Sequence, residues 1–154
     1  MTRPTTVAKL LSSAAVALTV MTACTPPGAP DGEWRPIDAD GWRYGDLVVL
    51  NRDHDTIPGL DTLTVAVRHT ANYGYSNLWL ELRYYTSDTI AADTFDITLA
   101  DDYGNWLGEG SGTAYQRMQR VRPSRPIREG SIMQLRHIMR VDTLREIEQI
   151  GLQY

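Results

Sequence analysis

Hydrophobic and polar residues alternate with a period of two along several segments of the chain, most clearly over residues 76–85. One set of alternate positions in this segment is apolar and comprises Leu78, Leu80, Leu82 and Tyr84. Residues 63–69 and 94–99 alternate in the same way and are rich in β-branched and aliphatic side chains. A period of two predicts β-strands with one buried face, because successive side chains of a strand point to opposite faces.

Three further segments complete the predicted set of strands: residues 46–51, 131–140 and 147–154. The composition of residues 131–150 also suits a helix. However, Gly130 precedes the segment and its apolar residues recur at every second position, which favours a strand.

Turn signals rich in Gly, Pro, Asn and Asp separate the predicted strands, at residues 57–59, 72–74 and 102–105. Short strands at regular spacing, without a long amphipathic helix, are typical of all-β folds. The sequence therefore predicts an antiparallel β-sandwich, Ig-like or jelly-roll-like, formed by residues 34–154 as a single domain.

The N-terminal residues have the organisation of an export signal. Arg3 and Lys9 form a basic start, residues 10–20 form a short apolar run, and small residues precede Cys24. A cysteine directly after such a signal is the acceptor of diacylglycerol in bacterial lipoproteins. A buried free thiol and a chance position in a secreted chain are the alternatives.

This organisation predicts a lipoprotein signal peptide over residues 1–23. Lipidated Cys24 and a flexible linker, rich in Pro and Gly, follow over residues 24–33. Two or more acyl chains hold a protein firmly on a membrane, since each buried methylene contributes about 0.8 kcal/mol. We therefore expect the membrane to be the first partner of this chain.

Removing 23 of the 154 residues leaves 131, which is the size of one ordinary domain. Removing Arg3 and Lys9 leaves 13 of the 15 basic residues against 19 acidic ones. An acidic balance argues against nucleic acid as a partner. A single cysteine excludes an intramolecular disulfide and a Cys-x-x-Cys metal site.

No motif for catalysis, a cofactor or a metal is recognisable. The glycines of residues 108–112 lack the lysine of a phosphate-binding loop and predict a tight turn instead. The three histidines, His54, His69 and His137, are not at metal-ligand spacing. The frequent aspartates lack an EF-hand pattern, so turn capping is favoured over a calcium site. We therefore expect no metal, no cofactor and no catalytic residue.

Two sets of residues are candidates for contact with a partner protein. Trp79 and Tyr85 are large aromatic residues on the polar face of a predicted strand. Arginines crowd the Pro-containing segment 117–128, and the candidates among them are Arg117, Arg120, Arg122 and Arg125. This segment is suited to an acidic partner or to lipid headgroups, and the alternative is a solvated, loop-like edge.

Beyond the lipoprotein signal, four motifs resemble the gliding motility lipoprotein GldH family in the same order along the chain. They are YSNLWL at 75–80, DTFDITLAD at 93–101, GNWLGEG at 104–110 and IEQIGL at 147–152. The block around Trp106 is the most specific of them. The Arg/Pro-rich segment 117–128 is more polar than the family pattern. The resemblance implies a lipoprotein required for surface gliding and associated with the type IX secretion and motility apparatus.

The leading hypothesis is a non-enzymatic, lipid-anchored component of this envelope machinery that acts through contacts with other envelope proteins. We expect it on the outer membrane, facing the periplasm. The second hypothesis is a carbohydrate-binding module, which requires Trp79, Tyr85 and Trp106 to form an exposed row. A hydrolase would require a nucleophile or paired carboxylates beside His69 or His137.

The lipid anchor makes a direct prediction. Cys24→Ala removes the only thiol that can carry acyl chains, so the variant should fractionate with soluble proteins, whereas the parent chain remains with membranes. Cell fractionation followed by immunoblotting measures this distribution. Membrane retention of the alanine variant would contradict the anchor.

Overall fold

The computed structural model describes residues 32–51, 59–86 and 88–154. Cys24, the signal peptide, His54 and part of the turn at residues 57–59 lie outside the described residues, so the expectations for them stay predictions. No helix in the described part is long and apolar enough to cross a membrane.

Strands and short connections make up the described part of the chain. In chain order the strands are β1 (Gly32–Pro36), β2 (Trp42–Arg43), β3 (Val48–Asn51), β4 (Leu63–Thr70), β5 (Asn77–Tyr85), β6 (Ile90–Thr98), β7 (Glu109–Ser111), β8 (Ala114–Val121), β9 (Ile132–His137), β10 (Thr143–Leu144) and β11 (Ile147–Gln153). The first strand begins at Gly32, two residues before the predicted start of the domain.

Two antiparallel sheets pack face to face. The first has five strands in the order β1-β11-β4-β8-β7, and the second has four in the order β3-β9-β5-β6. Strands β2 and β10 pair as a small additional sheet. The predicted all-β antiparallel sandwich is confirmed. The region 131–150 forms strands β9 and β10 and the start of β11, so the prediction of strand rather than helix is confirmed there as well.

The core is formed by the inward faces of the two sheets. The predicted apolar face of β5 is fully buried at Leu78, Leu80, Leu82 and Tyr84. Val65 and Val67 of β4 belong to the same core cluster. A fully buried side chain of this size stabilises the fold by roughly 1.5–3 kcal/mol, so this alternation is the main determinant of the architecture.

Strand β8 was not predicted, because its composition is polar. Arg117 and Arg120 lie in regular ladder positions of β8, opposite Val67 and Thr64 of β4. The interpretation of segment 117–128 as loop-like was therefore wrong for its first part. Only the residues after Val121 form the connection to β9.

Polar side chains of β8 link the two sheets at the edge of β6. The Gln119 amide donates to the Asp96 carbonyl at 2.9 Å, and the Thr98 N–H donates to the Gln119 side-chain oxygen at 3.0 Å. The Arg117 guanidinium also donates to the Thr98 carbonyl at 3.2 Å. These bonds occupy backbone groups of β6 that an unprotected edge strand would offer to another chain.

The glycine-rich segment 108–112 forms the start and the turn of the β7–β8 hairpin, which confirms the predicted tight turn. Gly112 turns the chain with φ of +69°, and Ser111 pairs with Ala114 on either side of it. A Cβ on Gly108 would lie 2.2 Å from the Gln116 carbonyl oxygen, so only glycine permits this approach.

The role of Gln119 at the β6 edge can be tested by substitution. Gln119→Ala removes two hydrogen bonds to β6 and should lower the free energy of unfolding by about 1–2 kcal/mol. It should also increase self-association, because the edge becomes available for strand pairing. Urea unfolding and analytical ultracentrifugation measure the two effects.

Gln116→Ala is the matched control, since Gln116 is on the same strand and faces away from β6. It should leave both measurements close to those of the parent protein. Equal effects of the two substitutions would show that Gln119 does not protect the edge.

Candidate partner-binding surface

The two ends of the sandwich have different chemistry. At one end, which we call the aromatic end, lie His69, Tyr73, Tyr75, Trp79 and Trp106. At the other, which we call the arginine end, lie Arg120, Arg122, Arg125 and Arg128. The sandwich separates these two ends by the length of its strands, and β5, with nine residues, extends about 30 Å.

His69 is the buried centre of the aromatic end. Its ring lies 4.5 Å from the Trp106 ring, measured between centroids, and 5.6 Å from that of Tyr73. Its Nδ1 lies 2.9 Å from the Thr70 carbonyl oxygen, which can only accept, so Nδ1 carries the proton. Nε2 is buried without a hydrogen-bond partner among the described residues. Trp106 is partly buried and packs against the core.

Burial lowers the pKa of His69, although the hydrogen bond to Thr70 and the charge of Glu148 act in the opposite direction. A proton on Nε2 would place a cationic donor in an aromatic environment without an acceptor. The ring is therefore suited to packing as a neutral side chain.

His137 has a similar environment on β9. Its Nε2 donates to the Trp42 carbonyl at 3.0 Å, and its ring contacts Trp42 and Tyr44 edge to face. Its Nδ1 has no hydrogen-bond partner among the described side chains and backbone. Burial lowers the pKa of His137 as well, although hydrogen bonds to the backbone of Trp42 and Arg43 act to raise it.

The exposed part of the aromatic end is an apolar groove of about 550 Å³. Its lining consists of Tyr75, Trp79, Ile138, Met139, Arg140 and Val141. Tyr75 and Trp79 retain 41% and 42% of their surface exposed, so both rings are accessible to a partner. The groove thus combines exposed rings with a single adjoining cation, Arg140.

Hydrogen bonds and ring contacts hold the walls of this groove in place. The Ile138 N–H donates to the Trp79 carbonyl at 2.9 Å. The backbone nitrogen of Trp79 lies 3.3 Å from the Met139 sulfur. The Tyr75 ring meets the Tyr73 ring edge to face at 5.6 Å. The Tyr73 hydroxyl donates to the Asn77 carbonyl, and burial raises the pKa of this phenol above its usual range.

Tyr103 is the most exposed of the large hydrophobic residues at this end, with 91% of its surface accessible. It lies on a turn organised by Asp101, which accepts from the backbone N–H groups of Tyr103 and Asn105. Hydrogen bonds from the side chain and backbone of Asn105 lower the pKa of Asp101. This aspartate caps a turn, as predicted for the aspartates in general.

Ion pairs occupy the outer face of β5 between the two candidate aromatics. Arg136 donates to both carboxylate oxygens of Glu81 at 3.0 Å, and Arg83 donates to one of them at 2.6 Å. Partial burial acts to raise the pKa of Glu81, but these hydrogen bonds outweigh it and lower the pKa. Trp79 and Tyr85 therefore lie on one face but about 20 Å apart, with charges between them.

The candidate residues from the sequence are thus distributed over three places. Trp79 lines the apolar groove, and Arg117 bonds to β6 between the sheets. Tyr85 and the exposed arginines Arg120, Arg122 and Arg125 lie at the arginine end. They do not form one continuous surface.

The exposed row of aromatics required for a carbohydrate-binding module is not formed. Trp106 packs against buried His69, whereas Trp79 and Tyr85 are on the outer face of β5. Among the described residues, no three His, Cys, Asp or Glu side chains are grouped so that they would hold a metal ion.

Sequence reasoning identified Trp79 but missed most of the groove around it. Tyr75 was not singled out as a contact residue, and Met139 was assigned to a strand over residues 131–140 that in fact ends at His137. The position of Tyr75, Asn77 and Trp79 on the face opposite the apolar residues of the same segment was the available signal. It gave no indication that the segment after β9 folds back beside these rings.

The fold and this surface define a small β-sandwich with an apolar groove at one end. The GldH lipoprotein family matches residues 32–153, which is most of the chain and includes every strand of its described part. The chain therefore belongs to the GldH lipoprotein family. No curated protein and no solved structure matches it.

The buried histidines predict a pH dependence of stability. Their folded-state pKa values are lowered, so the unfolded chain binds protons first as the pH falls. The free energy of unfolding should decrease from pH 7.5 to pH 5.5. The carboxylates with lowered pKa values remain ionised in the folded state across this range.

His69→Phe and His137→Phe should each reduce this decrease, and the double variant should remove most of it. Urea unfolding at several pH values measures the slope. A slope that is unchanged in the double variant would show that other groups cause the pH dependence.

Proposed function

We propose that this chain is a non-enzymatic, lipid-anchored lipoprotein of the bacterial envelope that works by binding other proteins of the gliding motility and type IX secretion apparatus. Its membership of the GldH lipoprotein family supports anchoring in the envelope through lipid. The anchor is on Cys24, and the domain faces the periplasm from the outer membrane.

The observation that carries the binding role is the apolar groove at the aromatic end. Large exposed aromatic residues on a rigid scaffold are typical centres of protein interfaces, because they bury much apolar area with little loss of conformational freedom. Tyr75 and Trp79 meet this description, since backbone and ring contacts fix the segments that carry them.

The chemistry of the groove specifies the partner segment. Its apolar wall accepts an aliphatic or aromatic side chain, and exposed Arg140 beside it favours an adjacent carboxylate. We therefore propose that the groove binds an apolar segment with a neighbouring acidic residue on an envelope protein of the apparatus.

The environments of the two histidines in the described part of the chain support a role without catalysis. His69 and His137 are both fully buried among aromatic rings. A general base must reach the substrate proton directly or through one water molecule, and these rings are not positioned at a surface cleft.

Site-specific photo-crosslinking in intact cells tests the proposed interface. A photoreactive residue in place of Trp79 should crosslink to a component of the secretion and motility apparatus. The matched control is the same residue in place of Tyr85, which is comparably exposed on the same face of β5 but at the other end.

Substitution provides the quantitative test. The double variant Tyr75→Ser and Trp79→Ser should reduce copurification of that component by about tenfold or more, since two interface aromatics commonly contribute more than 1.4 kcal/mol. Tyr85→Ser should leave it unchanged. A free monomer without an envelope partner, or equal loss with either variant, would contradict the proposal.

A further inference from the structure

The connection between β8 and β9 carries exposed arginines on a fixed backbone. Ile127 is fully buried and pairs with Leu60. The Ser124 N–H donates to the Asp93 carboxylate at 2.8 Å, and the Arg128 N–H donates to the Tyr85 carbonyl at 3.0 Å. The backbone is therefore held against the core, while the arginine side chains point away from it.

Most of these arginines are available for an external anion. The Arg125 guanidinium lies 3.9 Å from the Asp88 carboxylate. Among the described residues, this is the only ion pair formed by the four arginines of the arginine end. Arg120, Arg122 and Arg128 are exposed and form no ion pair within this part of the chain. Their charges are not neutralised by a close carboxylate there.

The chain enters the domain at this same end. In the five-stranded sheet, Gly32 pairs with Gln153, Gln153 with Thr64, and Thr64 with Arg120. Gly32 and Arg120 are therefore separated by three strand spacings, which is about 15 Å. The segment leading back to Cys24 starts beside the arginines.

The length of that segment limits the distance from the membrane. Seven residues separate Cys24 from Gly32, and even a fully extended chain spans only about 3.3–3.6 Å per residue. Gly32, where the chain enters the domain, thus lies within about 28 Å of Cys24. If the aromatic end faced the membrane, the seven residues between Cys24 and Gly32 would have to span nearly the whole length of the sandwich.

The distribution of charge also favours the arginine end as the end nearer the membrane. Among the described residues near the arginine end, four arginines face four acidic residues, Asp61, Asp88, Asp93 and Glu129, while Glu33 is paired with Arg35. Around the aromatic end, eight acidic residues face four arginines. The eight are Asp38, Asp40, Asp46, Asp101, Asp102, Asp142, Glu146 and Glu148, and the four are Arg43, Arg68, Arg140 and Arg145. The arginine end is therefore close to neutral and the aromatic end is acidic, so an anionic surface repels the aromatic end more strongly.

Exposed apolar side chains adjoin the arginines. Tyr85 pairs with Ile90 on neighbouring strands, and Ile132 begins the strand on the other side of β5. All three are among the exposed large hydrophobic residues. Arginine together with tyrosine and aliphatic side chains suits the headgroup region of a bilayer, where polar and apolar groups are both solvated.

We propose that the arginine end rests on anionic phospholipid headgroups of the membrane that holds Cys24. This contact orients the domain so that the aromatic end, with its groove, points away from the bilayer toward partners. The inference rests on the lipid anchor of the proposed function, and its test supplies that anchor chemically so that the two can fail separately.

The single cysteine makes this test specific. The mature chain beginning at Cys24 is coupled through its thiol to a maleimide lipid, in vesicles of phosphatidylcholine with or without phosphatidylglycerol. Backbone hydrogen exchange then reports which segments contact the surface. Segments 85–90 and 120–132 should exchange several-fold more slowly on the anionic vesicles, and high salt should remove this difference. Segments 72–79 and 101–106 should be unaffected.

Paired substitutions separate a specific contact from general attraction. Arg122→Gln with Arg128→Gln should abolish the protection, whereas Arg43→Gln with Arg145→Gln removes the same charge at the other end and should preserve it. Urea unfolding confirms that both variants remain folded. Equal exchange on both vesicle types, protection at the aromatic end, or equal effects of the two variants would overturn the proposal. The first of these outcomes is expected if the arginines bind an acidic protein instead.

Discussion

Burial of one face of β5 is the constraint on which the rest of the structure depends. Leu80 and Leu82 are fully buried in the core, and a slip of one residue would replace them with charged Glu81 and Arg83. The register of β5 is therefore fixed, and with it the direction of every side chain on the outer face. Trp79 and Tyr85 are directed outward at opposite ends of the same strand for this reason.

Protection of the sheet edge is the second requirement of this architecture. Gln119 and Arg117 occupy backbone groups of β6 that would otherwise be free for pairing with another chain. The aromatic and arginine ends of the sandwich carry the groups that are proposed to bind partners. One presents an apolar groove and the other presents cations beside the entry of the chain, and this arrangement supports the anchored role proposed above.

The strands that could be predicted are those in which the alternation of apolar residues matches the residues that enter the core. Strands β4, β5 and β9 alternate clearly because every second residue enters the core. Strand β8 does not show this pattern, since two of its inward positions are occupied by Arg117 and Gln119. Polar residues are tolerated there because they lie at the margin between the sheets, where backbone groups of β6 require hydrogen-bond partners.

The sequence by itself determined the class of fold and the family resemblance, and it predicted an export signal before the lone cysteine. These features depend on local order along the chain. Which residues share a surface was decided only by the tertiary structure, because strand pairing brings Gly32 close to Arg120 and folds Met139 against Trp79. Contacts between residues so distant in sequence follow from the packing of the sheets and leave no periodic signal in the chain.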